Sequence, residues 1–221
     1  MLHIQTFTFN PFQEQTYILW NDALEAVIID PGCYDLQEQQ VLQAFITKHK
    51  LVPQVVLNTH CHIDHVLGNA FACKTWNIPL WVPAGEVEQL ASVLSYGPSM
   101  GIYPEASPKP QGLLDEHSEL KYLGIAWQVL NIPGHSPDGL CFYLPSENML
   151  IAGDVLFMGS IGRTDLPGGN YERLMRGITQ KLMTLPDATV VYPGHGDTTS
   201  IGIERKHNPF VLDYLRASGS K

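Results

Sequence analysis

Thr59-His60-Cys61-His62-Ile63-Asp64-His65 puts three imidazoles and a carboxylate into six consecutive positions, 60–65. An apolar run, Val55-Val56-Leu57, leads into it, and a helix-like run follows. Alternate side chains of an extended segment share a face, so His60 and His62 are expected to point the same way, with Asp64 able to join them. A helix that begins at Asp64 would set its carboxylate at the helix N-terminus, where negative charge is favoured. Neutral imidazole and carboxylate are borderline-to-hard donors that suit zinc, iron or manganese. A solvated His-rich turn is the bland alternative, but it leaves the strand before and the helix after without a purpose. The stretch reads as metal-ligating.

The rest of the composition fits a compact globule. The chain has 221 residues, 44% hydrophobic and 16% charged, which supports a large core and argues against disorder. One domain spanning 1–221 is expected. A net charge of −9 argues against a nucleic-acid partner, and two divalent cations would bring it to −9 + 4 = −5. Cys33, Cys61, Cys73 and Cys141 form no C-x-x-C pair and read as reduced thiols, with Cys61 turned away from His60 and His62. The N-terminal MLHIQTFTFNPF lacks the pattern of a signal peptide, and no apolar run reaches membrane-spanning length. A cytoplasmic protein that acts on a small molecule is the expectation.

Taken in order, strands are predicted at 2–9 and within 15–30, broken by Asn10-Pro11 and Asn21-Asp22, the last one stopping at Asp30-Pro31-Gly32. Asp35 caps a predicted helix, strand 54–58 delivers the histidines, and 65–77 reads as one helix. A strand at 78–82 and a helix at 85–95 follow. Residues 96–112, rich in Pro and Gly, read as a long loop, either a lid or a passive connection. Strands are predicted at 119–123, 125–131, 139–144, 148–152 and 188–192, with helices at 171–184 and from 202. Two β-rich halves that end in helices suggest two packed sheets with helices outside.

Three later turns add candidates: Pro133-Gly134-His135, Ala152-Gly153-Asp154 and Tyr192-Pro193-Gly194-His195-Gly196. Each follows or adjoins a strand, and glycine there allows unusual backbone approach. Singly each is an ordinary turn; together they supply the His, Asp and His that a two-metal site still lacks. His3, His49, His117 and His207 have no such setting.

His60-x-His62-x-Asp64-His65 followed by Gly-His135, Gly-Asp154 and Gly-His195 resembles the metallo-β-lactamase superfamily over essentially the whole chain. That resemblance implies an α/β, four-layer αββα sandwich of two mixed sheets with outer helices. It implies two divalent metal ions, zinc first and iron or manganese next. His60, His62 and His135 would hold one, Asp64, His65 and His195 the other, with Asp154 as the bridge. Asn10-Pro11-Phe12, Gln15-Thr16-Tyr17 and Gly159-Ser160-Ile161-Gly162-Arg163-Thr164-Asp165 are similar to the short glyoxalase II-like hydrolases. His62 stands where flavo-diiron oxygen reductases carry Glu, and Asp154 where zinc β-lactamases carry Cys. The chain is expected to lack the C-terminal helical domain that holds glutathione in full-length glyoxalase II, which leaves the thiol half of the substrate open.

The expected reaction is hydrolysis of an anionic thioester of the acyl-glutathione type. A metal-bridging hydroxide attacks the carbonyl, Asp64 ligates metal and orients that hydroxide, and the metals hold the oxyanion. A thiol pKa of about 8.5 makes the thiolate a ready leaving group without a general acid. Arg163 either clamps a substrate carboxylate or pairs with Asp165. The runner-up is a mononuclear iron persulfide dioxygenase using His62, His135 and Asp154. A metal-stabilised scaffold without turnover is a third reading.

Overall fold

A computed structural model describes residues 1–219, and in it the chain forms two compact units. The first comprises Met1–Leu114 with Lys121–Ile125, the second Asp115–Leu120 with the chain from Ala126 onward.

In the first unit, β1 (Leu2–Phe9), β2 (Glu14–Asn21) and β3 (Glu25–Ile29) form an antiparallel meander. Then β4 (Val52–Leu57), β5 (Leu80–Pro83) and β6 (Gly112–Leu114) add in parallel, in the spatial order β1 to β6. Central parallel strands are buried on both faces, and β3 and β4 are written that way: Val27, Ile28, Ile29, Val55, Val56 and Leu57 are all fully buried. The first helix, α1 (Leu36–Lys48), begins where the Asp35 side chain accepts from the Glu38 N–H. After β4 come α2 (Ile63–Val66), α3 (Asn69–Trp76) and α4 (Val87–Tyr96).

The single helix expected over 65–77 is instead α2 and α3, parted at Leu67-Gly68. The bond that would join them is diverted at both ends. Gly68 N–H donates to Pro31 O at 2.7 Å, and Asp64 O accepts from Asn10 Nδ2 at 3.0 Å. The expected strand 119–123 is also absent, because Leu123 and Gly124, at φ 61° and 71°, make a left-handed turn there. Residues 96–112 are more ordered than a bare loop. Gly97–Met100 is a 3-10 turn, Ile102 is buried, Tyr103 N–H donates to Tyr34 Oη, and Asn69 Nδ2 donates to Ser107 Oγ. Its Pro104–Pro110 part shares with α4 and Val66 a cavity of about 180 Å3.

The second unit holds β7 (Gln128–Asn131), β8 (Leu140–Leu144), β9 (Met149–Gly153), β12 (Val190–Pro193) and β13 (Thr199–Ser200), in the order β13-β12-β9-β8-β7. A small hairpin, β10 (Leu156–Phe157) and β11 (Ser160–Ile161), follows β9. Helices α5 (Tyr171–Gln180), α6 (Ile201–His207) and α7 (Pro209–Gly219) complete it. Because β7 and β9 both run antiparallel to β8 while β9 and β12 are parallel, β7, β9 and β12 all point one way. Their C-terminal ends therefore meet at one edge, the place where such sheets carry functional side chains. The two-residue β10, β11 and β13 were too short for any alternation to announce them.

Candidate metal centre

The first unit contributes one cluster, at the C-terminal end of β4. His60 and His62 rings lie 4.7 Å apart at 86°, and His60 and His65 rings 4.1 Å apart. His62 is the N-cap of α2, so Asp64 falls in its first turn, and Asp64 Oδ2 is 3.5 Å from His65 Nε2. Cys61 faces the other way, into the apolar core, where burial and the neighbouring Glu86 carboxylate push its thiol pKa well up. It is no ligand candidate.

What holds these rings is Asp30, which in the sequence reads only as the stop of β3. Its Oδ1 accepts from Thr59 N–H at 2.7 Å, and its Oδ2 from Thr59 Oγ1 at 2.5 Å. The same Oδ2 lies 3.1 Å from His65 Nδ1, and Thr59 Oγ1 lies 3.1 Å from His60 Nδ1. Both histidines thus spend Nδ1 on support and turn Nε2 outward, the arrangement that fixes a tautomer for metal binding. The usable signal was position: Asp30 ends the parallel strand beside the one that delivers the histidines. Asn10 is the second brace, its Nδ2 donating to Gly32 O and Asp64 O. Gly32 must be glycine here, since a Cβ would stand 2.0 Å from Glu14 Oε2 and 2.8 Å from Asp64 O.

The second unit contributes His135, Asp154 and His195 from the ends of β7, β9 and β12. Gly134, at φ 131°, lets the turn pass so close to α5 that a Cβ would stand 2.5 Å from Asn170 O and Leu174 N. Gly194 N–H donates to Gly153 O at 2.8 Å, which ties the Asp154 and His195 turns together. Asp154 Oδ2 is 3.5 Å from His135 Nε2 and 3.5 Å from His195 Nε2. His135 Nδ1 donates to Arg163 O at 2.9 Å, so Nε2 is again the outward nitrogen. The Arg163 side chain forms a bidentate pair with Asp165, 2.8 Å on each arm, with the two side chains 60% and 68% exposed. That partner and a backbone N–H hold the Asp165 carboxyl down to about 2.

Both clusters suit a divalent metal by their donor chemistry: imidazoles, of which His60, His65 and His135 have Nδ1 already engaged, plus carboxylates, and no thiolate. Their 3.5 Å spacings match the roughly 3.4 Å edge of a tetrahedron with metal–ligand bonds of about 2.1 Å. The remaining histidines stay outside: His3 bonds Asp22, His49 lies against Phe45, and His117 and His207 are exposed.

Comparison with known proteins agrees with this chemistry. The model of the metallo-β-lactamase superfamily matches residues 9–195. The probable metallo-hydrolase YqgX of Bacillus subtilis is 37% identical over 91% of this chain and 93% of its own. Hydroxyacylglutathione hydrolase GloC of Haemophilus influenzae is 34% identical over 95% and 98%. Among solved structures, the BLEG-1 B3 metallo-β-lactamase superposes with a TM-score of 0.87 at 35% identity, over 95% of this chain and 99% of that one. TTHA1623, solved in a di-iron-bound form, gives 0.84 at 34%, over 93% and 99%. A strand-end cluster of imidazoles and carboxylates, on a fold shared over nearly the full length with metal-dependent hydrolases, has one reading: this chain belongs to the metallo-β-lactamase superfamily.

Proposed function

We propose that the protein hydrolyses an anionic thioester of the acyl-glutathione class at a two-metal centre. His60, His62 and His135 would hold one ion, Asp64, His65 and His195 would hold the other, and Asp154 would be shared by both. The observation that carries this reading is Asp154 Oδ2, one oxygen set 3.5 Å from each of two imidazole nitrogens. An oxygen set equally close to two imidazoles from different turns is one that two ions can share, one on the side of each ring. When bound, the metals supply a hydroxide at neutral pH and polarise the scissile carbonyl.

The protein's own groups do the rest. Asp64, held by α2, accepts a hydrogen bond from the nucleophile and keeps its lone pair on the carbonyl carbon. Asp30 and Arg163 O keep the imidazole protons on Nδ1, so that no ring N–H opposes the reacting groups. Water adds across the C–S bond, giving a carboxylate and a thiol, and the thiolate leaves without a dedicated acid because its pKa is about 8.5.

Arg163 is the clamp for a substrate carboxylate, which would take the place of Asp165. An Arg163→Ala change is then expected to cost a carboxylate-bearing thioester about 1.5–3 kcal/mol, roughly ten- to hundredfold in kcat/KM. A neutral thioester with the same scissile bond would be nearly indifferent. Equal losses on both would assign Arg163 to the metal shell, through the carbonyl that holds His135.

The test is metal analysis of protein purified without added metal, with a panel of lactoylglutathione, neutral thioesters, a β-lactam and a persulfide. Thioester turnover with two metals bound supports the reading. Oxygen uptake on persulfide with one iron would move the protein to the dioxygenase branch, and β-lactam turnover alone would sink the thioester assignment.

A further inference from the structure

The hairpin β10–β11 lies beside the site and has no part in the roles above. It touches His195, and the chain that leaves it reaches His135. At one end the Phe157 ring stands edge-on to His195, centroids 6.3 Å apart at 75°. Two residues past its other end, Arg163 O accepts a hydrogen bond from His135 Nδ1–H.

The hairpin is also held rigid from behind. Glu204, itself buried, accepts from Gly159 N–H at 2.9 Å, and buried Asn208 donates from Nδ2 to Ser160 O at 3.0 Å. Leu156 and Ile161 anchor it in the core of the second unit. A hairpin of two two-residue strands gains nothing in stability by leaving Phe157 only partly buried and Met158 53% exposed at its tip, since burying them fully would be favoured. His195 is moreover the most accessible of the three second-unit candidates, its side chain 28% exposed against 6% for His135 and 11% for Asp154. The most open side of this cluster is therefore the His195 side, and that is where the Phe157 ring stands.

We infer that Phe157, with Met158, is a specificity-determining apolar wall that packs against the acyl part of the substrate, so that thioesters of aliphatic acyl groups are preferred over 2-hydroxyacyl ones. This rests on the thioester reading above. A fully buried methylene is worth about fourfold in binding, and on a one-sided wall about half of that free energy, or roughly twofold, is recovered. Each methylene added to the acyl chain contributes that factor, and a hydroxyl at the 2-position forfeits it because it must give up water against a ring that cannot hydrogen-bond.

The experiment compares the metal-loaded wild type with Phe157→Ala and Phe157→Leu on acetyl-, butanoyl-, hexanoyl- and lactoyl-glutathione. Wild-type kcat/KM is expected to rise about sixteenfold from acetyl to hexanoyl, a factor of two for each of four methylenes. In Phe157→Ala that slope should vanish, and in Phe157→Leu most of it should return, with metal content and the visible spectrum of the cobalt-substituted protein unchanged in both. A slope that persists in Phe157→Ala overturns the inference. So does a loss of metal or a changed cobalt spectrum with the slope intact, which would make Phe157 a prop for His195. If the wild type cleaves no thioester, the thioester reading fails, and the wall is judged by calorimetry with acetate and hexanoate. Hexanoate binding more tightly than acetate to the wild type, but equally to Phe157→Ala, supports it; equal binding to the wild type overturns it.

Discussion

Replacing Asp30 with Asn isolates one negative charge behind the candidate ligands. Asp30 sits at φ 47°, a left-handed conformation that Asn adopts as easily as Asp, so the change adds no backbone strain. Oδ1 accepts from Thr59 N–H and, at 3.3 Å, from Asn58 Nδ2. The amide oxygen keeps these two. The amide N–H groups then stand where Oδ2 was, facing Thr59 Oγ1 and His65 Nδ1. Thr59 can rotate its hydroxyl; His65 can escape the donor–donor clash only by moving its proton from Nδ1 to Nε2, which removes the lone pair offered to a metal. Losing a buried hydrogen bond to a charged group costs about 1.5–3 kcal/mol of stability. A broken outer-shell contact of this kind costs about ten- to hundredfold in metal affinity. Chelator competition measures the second and urea unfolding of the metal-free protein the first. Wild-type metal affinity in Asp30→Asn would refute the argument that this carboxylate sets the tautomer.

If Asp154 serves two ions, Asp154→Ala should empty both sites while His195→Ala mainly empties one, as read by elemental analysis; two full equivalents in Asp154→Ala would contradict the shared role. Glu14 offers a pH test. Burial, the largest cause, with Asp30 and Asp64 adding to it against His65, raises its carboxyl well above its usual range. Its folded pKa exceeds the unfolded one, so the folded state holds the extra proton, and stability falls as pH rises from about 4.5 toward the raised value. Glu14→Gln should flatten that slope in urea unfolding of the metal-free protein, and an unchanged slope would show that Glu14 is not its source.

The metal-binding character of 59–65 was legible because its chemistry is local: polar, titratable side chains in a row between an apolar strand and a helix have few other uses. The alternation that puts His60 and His62 on one face needs only an extended backbone. Asp30 and Asn10 were not legible, because their partners Thr59, His65 and Asp64 lie far along the chain and come close only through the β3–β4 pairing and the turn after β1. The same distance effect broke the predicted helix 65–77. Nothing within 65–77 says that Asp64 O and Gly68 N–H are claimed by Asn10 and Pro31. Leu123-Gly124 misled differently: the apolar residues of 119–123 suit a strand, but the turn conformation there wins.

The second-unit turns show where pattern reading stops. Gly-Asp154 and Gly-His195 are unremarkable as sequence, and even knowing that β9 and β12 are parallel does not align their ends. The ladder pairs Tyr192 with Ile151 and Pro193 with Gly153, so Ala152 is an extra residue on β9. Such a bulge re-aims the side chains that follow it. Side chains alternate along a strand, so without the extra residue the two turns would meet one residue out of step, on opposite faces. The bond from Gly194 N–H to Gly153 O closes the corrected register, and from there Asp154 Oδ2 reaches 3.5 Å from His195 Nε2. No period of two or 3.6 encodes a single inserted residue. The position of this carboxylate is therefore set by packing of the whole second sheet, while its identity is set by the chemistry of one codon.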